Sequence, residues 1–136
     1  MPATTANARD HQARWDEVIH DPVLRDLPYK VETNAQGQLI VSPHQNVHSF
    51  LQAGVRDLLQ NQMTQGVVVP GFAIATHQGV KVPDLIWTSP ERRADMEATG
   101  DPTTQAPELC VEVMSESNTD EEMTEKRRLY RDAGAE

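Results

Sequence analysis

The sequence has a single cysteine and no long apolar run. Cys110 has no second cysteine with which to form an internal disulfide, and the cysteine spacings of a tetrahedral zinc site are absent. No apolar stretch approaches the roughly 20 residues that span a bilayer. The N-terminal stretch MPATTANARDHQARWDEV has neither the basic start nor the apolar core of a signal peptide. We therefore expect a cytoplasmic protein in a reducing compartment.

Basic residues are scarce, and this scarcity limits the partners of the chain. The formal net charge is −9, from 12 Lys and Arg against 21 Asp and Glu. Non-specific affinity for nucleic acid comes mainly from basic groups that displace counterions from phosphates. Strong, indiscriminate DNA binding is therefore not expected. A local basic patch, or a metal ion that reverses the sign of an acidic pocket, would still allow a phosphate to bind.

The remaining composition is that of one globular domain. Hydrophobic residues make up 38% and charged residues 24% of the 136 residues. This length allows a single core and is too short for two ordinary domains.

Turn and capping signals divide the chain into short elements. The first helix has an N-cap candidate at Asp10 and stops at Pro22, and YKVET and QLIVSP flank the turn NAQG as a hairpin. The clearest helix follows, with apolar residues at helical spacing: Val47, Phe50, Leu51, Gly54, Val55, Leu58 and Leu59. Later signals predict strands in GVVVP, FAIAT, VKVPDLIW and ELCVEVM, a short helix in SPERRADMEAT, and a last helix with a capping box from Thr119 to Glu122.

Three charged residues occupy positions where these patterns predict apolar ones. Side chains alternate across a strand, so Asp84 interrupts the face of VKVPDLIW that carries Val80 and Ile86. By the same rule, Glu112 lies in the middle of the strand ELCVEVM. Lys126 falls on the inward apolar stripe of the last helix.

Together the three charges indicate a shared pocket, because an unpaired buried charge is costly. Two carboxylates suit Mg²⁺ or Mn²⁺, which commonly complete about six positions with water and substrate phosphate. A lysine beside them is able to orient or deprotonate water and to stabilise phosphate charge. Each residue alone also has an ordinary interpretation. Asp84 fits an edge or bulge position of a strand, and Glu112 fits a half-exposed strand face. The aliphatic stem of Lys126 is able to cover the core while its amine reaches water.

A resemblance to a known family is carried by three stretches: VETNAQGQLIVSPHQNVH, GVKVPDLIWTSPER and APELCVEVMSESNTDEEMTEKRRLYRDAGAE. In this order and spacing they resemble the Uma-two family, classed as endonucleases of the restriction-endonuclease-like PD-(D/E)XK superfamily. The similarity covers roughly Tyr29 to Glu136, which leaves 1–28 as an N-terminal helical segment and 29–136 as the restriction-endonuclease-like domain. It implies an α/β (α+β) fold, in which a mixed β-sheet is flanked by helices and holds a divalent metal at its centre.

The resemblance also implies roles for individual residues. Asp84 matches the PD aspartate and Glu112 the acidic residue of the second half-motif, and both would be metal ligands. Met114 stands where a lysine is expected, and Lys126 in the following helix would supply that lysine. Glu32, in the first hairpin strand, matches an acidic position and would be an additional ligand or a water-binding group.

Two further residues keep alternative interpretations. His48 matches a histidine at the start of the long helix, where it either packs or binds water, or takes part in the site. Tyr130 either packs the last helix or contacts substrate.

The family usually continues past AGAE into another strand, so the resemblance implies that this chain lacks the C-terminal strand. An uncovered sheet edge is a pairing surface, and we expect a homo-oligomer, such as a homodimer, through that edge.

Three hypotheses about function follow. The first is a Mg²⁺- or Mn²⁺-dependent endonuclease that hydrolyses DNA, with RNA as the second choice of substrate. The second is a catalytically inactive nuclease fold that binds a partner protein or nucleic acid. The third is a small oligomeric structural domain in which the buried charges only pair with each other.

Overall fold

The computed structural model describes residues 7–43, 46–116 and 118–136. In these ranges the chain is an α+β protein, which confirms the predicted class, and none of its helices is long and apolar enough to cross a membrane. The helices are α1 (Ala8–Ile19), α2 (Pro22–Arg25), α3 (Asn46–Gln62), α4 (Pro90–Thr99) and α5 (Asp120–Asp132). The strands are β1 (Lys30–Thr33), β2 (Leu39–Ser42), β3 (Val67–Pro70), β4 (Ile74–Thr76), β5 (Gly79–Lys81), β6 (Leu85–Thr88) and β7 (Leu109–Val111).

The strands form three small antiparallel sheets within the described ranges. The pair β1–β2 is the predicted hairpin, β4–β5 is a second hairpin, and β3–β6–β7 is a three-stranded sheet with β6 in the centre. A parallel bridge between Ile74 and Thr103 adds one pairing of the other sense. In the first hairpin the side-chain oxygen of Asn34 accepts from the backbone N–H groups of Gln36 and Gln38, which is how an asparagine stabilises a turn.

The stretch VKVPDLIW is two strands, so the prediction of a single strand is wrong. Its first part is β5, in the second hairpin, and its last part is β6, in the three-stranded sheet. Pro83 has no N–H to donate to a neighbouring strand, and the N–H of Val82 donates instead to the carboxylate of Glu32 at 2.7 Å. Asp84 therefore lies in the break between the strands and not in the middle of a strand face.

The strand predicted in ELCVEVM is shorter than expected and ends at Val111. Glu112 is thus the first residue after β7, and its predicted place in mid-strand is also wrong. Leu85 pairs with Val111 in the antiparallel register of β6 and β7. Because Asp84 precedes Leu85 and Glu112 follows Val111, this register brings the two carboxylates to the same end of the sheet.

Close contact at Gly79 brings the second hairpin against β1. Gly79 has φ 104°, and a Cβ at this position would lie 2.3 Å from the carbonyl oxygen of Thr33. Only glycine fits both the conformation and the space. The neighbouring N–H of Val80 donates to Thr33 Oγ1 at 2.8 Å, so β1, with Glu32, is held beside β5.

Helix caps agree only in part with the sequence signals. The N-cap of α1 is Asn7, and the predicted cap Asp10 is instead the N3 residue that completes the capping box. Thr119 is the N-cap of α5, accepting from the N–H of Glu122, but between these two described residues the returning bond of the predicted capping box is not formed. The carboxylate of Glu122 accepts from the side-chain amide of Asn118.

Two packed clusters are prominent in the core, and the apolar stripe of α3 contributes little to it. One cluster contains Trp15, Val18, Ala75 and Val80 and joins α1 to the second hairpin. The other contains Ile74, Ala106 and Tyr130 and joins α5 to the loop before β7. Phe50 of α3 is 78% exposed, and Val47, Leu51 and Leu58 are each more than half exposed. Among the residues of α3, the buried one is His48.

Candidate active site

The fold brings the charged residues singled out from the sequence into one cluster. They come from the first strand, the break between β5 and β6, the loop after β7, and two helices. The cluster contains Lys30, Glu32, His48, Asp84, Glu112, Lys126 and Tyr130, each bonded to at least one other member. Antiparallel pairing of β6 with β7 and the contact of β1 with β5 bring together the members on strands and loops, and α3 and α5 add His48, Lys126 and Tyr130.

Asp84 and Glu112 share one cation, the ammonium of Lys30. Lys30 Nζ lies 3.3 Å from Asp84 Oδ1 and 3.0 Å from Glu112 Oε2. All three side chains are nearly buried, with exposed fractions of 10% for Lys30, 3% for Asp84 and 11% for Glu112. The two carboxylates thus direct one oxygen each toward a common point.

The second oxygen of each carboxylate is held by a backbone N–H or by other side chains of the cluster. Asp84 Oδ2 accepts from the backbone N–H of Val113 at 2.7 Å and lies 3.2 Å from His48 Nε2. Glu112 Oε1 accepts from the hydroxyl of Tyr130 at 2.6 Å. Both His48 and Tyr130, whose roles were open from the sequence, therefore contact the carboxylates directly.

Lys126 links Glu112 to Glu32. Its Nζ lies 3.0 and 3.2 Å from the two carboxylate oxygens of Glu32 and 3.4 Å from Glu112 Oε1. The predicted inward direction of Lys126 is confirmed, since its side chain is 21% exposed. Both oxygens of Glu32 are occupied by Lys126, and one of them also accepts the N–H of Val82.

The surroundings keep the central ion pair charged. Burial alone would raise the pKa of Asp84, but Lys30, the N–H of Val113 and His48 together hold this pKa below its usual range. Burial alone would lower the pKa of Lys30, but Glu112, Glu32 and Asp84 outweigh it and hold this pKa above its usual range. Lys30 is thus an ammonium and Asp84 a carboxylate at neutral pH.

Lys30 was not identified from the sequence, although one signal was available. Lys30 and Glu32 are two residues apart on β1 and share a face, so a charge pair on this face was visible. The pattern alone does not show that Lys30 contacts Asp84, which is 54 residues away along the chain.

Two clefts open beside the cluster. One, of about 500 Å³, is lined by Lys30 and Asp84 together with Arg25, Tyr29 and Gln52. The other, of about 310 Å³, is lined by Glu112 and Lys126 together with Arg127, Tyr130 and Arg131. The second cleft combines three cationic side chains with the carboxylates of Glu112 and Glu136.

The donor set fits a hard divalent cation that keeps several waters. In the described part of the chain, no group of three or more His, Cys, Asp or Glu side chains is arranged to hold a metal. Two carboxylate oxygens directed at one cation position are nevertheless sufficient for Mg²⁺, which commonly uses one or two carboxylates and fills the rest with water. Asp84 Oδ1 and Glu112 Oε2 are those oxygens.

A protein-family model matches most of the chain. The model of the Uma2 family, described as "Putative restriction endonuclease", matches residues 15–136. The match covers every residue of the cluster. No curated protein matches the chain.

Proposed function

Because the chain belongs to the Uma2 family and has a restriction-endonuclease-like α+β fold, we propose that it is a divalent-metal-dependent endonuclease acting on DNA. Family membership supports a nuclease with nucleic acid as substrate. The metal and the choice of DNA are parts of the proposal. The observation that supports it best is the convergence of Asp84 Oδ1 and Glu112 Oε2 on one cation position.

In this proposal Asp84 and Glu112 hold Mg²⁺ or Mn²⁺ through these two oxygens. The bound ion supplies Lewis-acid polarisation of the phosphate and a water of lowered pKa. The second oxygens stay with Val113, His48 and Tyr130, so the carboxylates keep their orientation when the cation changes. Such supporting hydrogen bonds are typical around metal ligands.

Lys126 is the residue that would act on the attacking water and the phosphate. Its ammonium lies between Glu32 and Glu112, where it is able to orient a water and to neutralise charge that develops on a phosphate oxygen. Glu32 is a positioning residue in this scheme, because both of its oxygens contact Lys126.

The acidic chain has a local means of receiving DNA. The cleft beside Glu112 carries Lys126, Arg127 and Arg131, and cationic side chains release counterions from phosphates. A divalent ion held by Asp84 and Glu112 would add positive charge next to Glu112, which lines this cleft. The net charge of −9 therefore does not prevent a phosphate from approaching this face.

The proposal is tested by calorimetric titration of Mn²⁺ into the protein and into Asp84→Asn, followed by cleavage assays on plasmid DNA and RNA. The amide of the variant keeps an oxygen for the N–H of Val113 and lacks the charge, so binding and cleavage are expected to disappear. The matched control is Asp57→Asn on the exposed side of α3, which should leave Mn²⁺ binding and cleavage unchanged. Equal Mn²⁺ binding in Asp84→Asn and the parent would refute the assigned site.

A second candidate function is a catalytically inactive nuclease fold that binds a partner. The contact of Lys30 with both carboxylates favours it, because the buried charges are already paired. The variant Asp84→Ala distinguishes the inactive fold from the endonuclease. Loss of one partner from a buried ion pair costs about 3–5 kcal/mol, whether or not metal is added. In the endonuclease, Mn²⁺ should additionally stabilise the parent and have no effect on Asp84→Ala.

A further inference from the structure

The ammonium of Lys30 occupies the position that a metal ion would need. It contacts Asp84 Oδ1 and Glu112 Oε2, the oxygens left over by the other hydrogen bonds of the cluster. Like charges in close contact repel each other strongly away from bulk water, and a divalent ion repels an ammonium more strongly than a univalent ion does. Lys30 and a metal therefore cannot both occupy this position.

Lys30 also has a function when no metal is bound. Asp84 and Glu112 are nearly buried, and two like charges that share a buried site destabilise each other. Removing the cation from such a group leaves uncompensated buried charge, which strongly destabilises a fold. The same contacts thus stabilise the metal-free fold and oppose metal binding.

A path for the displaced side chain is present. Lys30 and Asp84 both line the cleft of about 500 Å³, whose lining also includes Arg25, Tyr29 and Gln52 among apolar residues. Lysine carries its charge on a flexible four-carbon stem. A rotation of this stem would move the ammonium into the cleft without a change in the β1 backbone.

From this geometry we propose that Lys30 is an internal placeholder cation, which a divalent metal must displace from Asp84 and Glu112 in order to bind. The inference rests on the proposed metal site. Metal binding is coupled to movement of one side chain of β1, and the displaced ammonium adds a second cation to the cleft that contains Arg25. Lys30 is a positioning residue for both carboxylates in the metal-free protein.

The test compares Mn²⁺ affinity and thermal stability in the parent and in Lys30→Met. Methionine retains an unbranched stem and removes the charge. Lys30→Met is expected to unfold at a lower temperature than the parent in EDTA and to bind Mn²⁺ at least tenfold more tightly. Its unfolding temperature should rise more steeply with Mn²⁺ concentration than that of the parent. Lys30→Arg, which retains a cation, is the control and should bind Mn²⁺ no more tightly than the parent.

The outcomes separate the inference from the proposed function. Equal or weaker Mn²⁺ binding in Lys30→Met, with binding in the parent that Asp84→Asn abolishes, would overturn the placeholder role and leave the endonuclease proposal intact. Absence of Mn²⁺ binding in the parent and in Lys30→Met would overturn both. If Lys30→Met is unfolded in EDTA, it should fold on addition of Mn²⁺. If it stays unfolded, Lys30→Gln, which keeps a hydrogen-bond donor, is titrated instead and is judged by the same criteria.

Discussion

The hydroxyl of Tyr130 donates a 2.6 Å hydrogen bond to Glu112 Oε1, which joins the core cluster of α5 to the charged cluster. Burial first, and the charge of Glu112 second, raise the pKa of Tyr130 far above its usual range. The phenol is therefore a neutral donor at ordinary pH. One side chain thus belongs both to the hydrophobic core and to the candidate site.

Tyr130→Phe should keep the ring in the core and remove this bond. Because the acceptor is a buried carboxylate, we expect a loss of about 1.5–3 kcal/mol in the free energy of unfolding, measured by urea denaturation. The control is Tyr29→Phe, in which the parent side chain is 47% exposed. If Tyr130→Phe and Tyr29→Phe lower the free energy of unfolding by the same amount, the bond to Glu112 contributes nothing measurable to stability.

Stability should depend on α5 far more than on the apolar stripe of α3. Leu129 is 2% exposed and Phe50 is 78% exposed. Leu129→Ala should therefore cost about 2–5 kcal/mol, whereas Phe50→Ser should change the free energy of unfolding by at most about 0.5 kcal/mol. Chemical denaturation of both variants checks this ranking. A large loss of unfolding free energy in Phe50→Ser would mean that the apolar stripe of α3 is covered in solution.

Cys110 should react slowly with alkylating reagents in the folded protein. Burial first, and Glu112 second, raise the pKa of its thiol to about 12, and the thiolate is the reactive form. At about pH 8 a free thiol of pKa about 8.5 is partly ionised, so alkylation should accelerate strongly when denaturant unfolds the chain. Reaction at the same rate in both states would contradict the burial of this thiol.

The raised pKa of Cys110 also predicts a direction for stability at alkaline pH. Between about pH 9 and about 12 the unfolded thiol loses its proton and the folded one keeps it. Stability should therefore fall as the pH rises through this window. Cys110→Ala should reduce this fall, measured by denaturation at several pH values.

DNA binding should depend on the cleft beside Glu112. Replacing Arg127 and Arg131, which line this cleft, by alanine should weaken DNA binding across sequences. It should also make the slope of log K against log salt shallower by about two units. The measurement is fluorescence anisotropy in Ca²⁺, to prevent cleavage, over a range of salt concentrations. The control replaces Arg9 and Arg56, which are also exposed, by alanine. An equal change in slope in this control would mean that DNA binding depends on the overall charge of the protein and not on the cleft.

Local sequence patterns were sufficient to select three members of the cluster. Asp84, Glu112 and Lys126 are charged residues in stretches whose neighbours are apolar, and a buried charge requires a partner. All three are largely buried and are bonded within one cluster. The strand positions predicted for Asp84 and Glu112 were nevertheless wrong, because β5 ends at Lys81 and β7 stops at Val111.

Short-range patterns in the chain established the α+β class, the hairpin at Asn34, the cap of α5 at Thr119 and the inward face of Lys126, because each depends on residues within a few positions of one another. Long-range packing was needed to establish that Lys30 lies between Asp84 and Glu112, and that the apolar stripe of α3 is exposed. Those facts depend on which elements pack together. The periodicity of a strand or helix fixes which side chains share a face, but it does not identify the distant segment that the face meets.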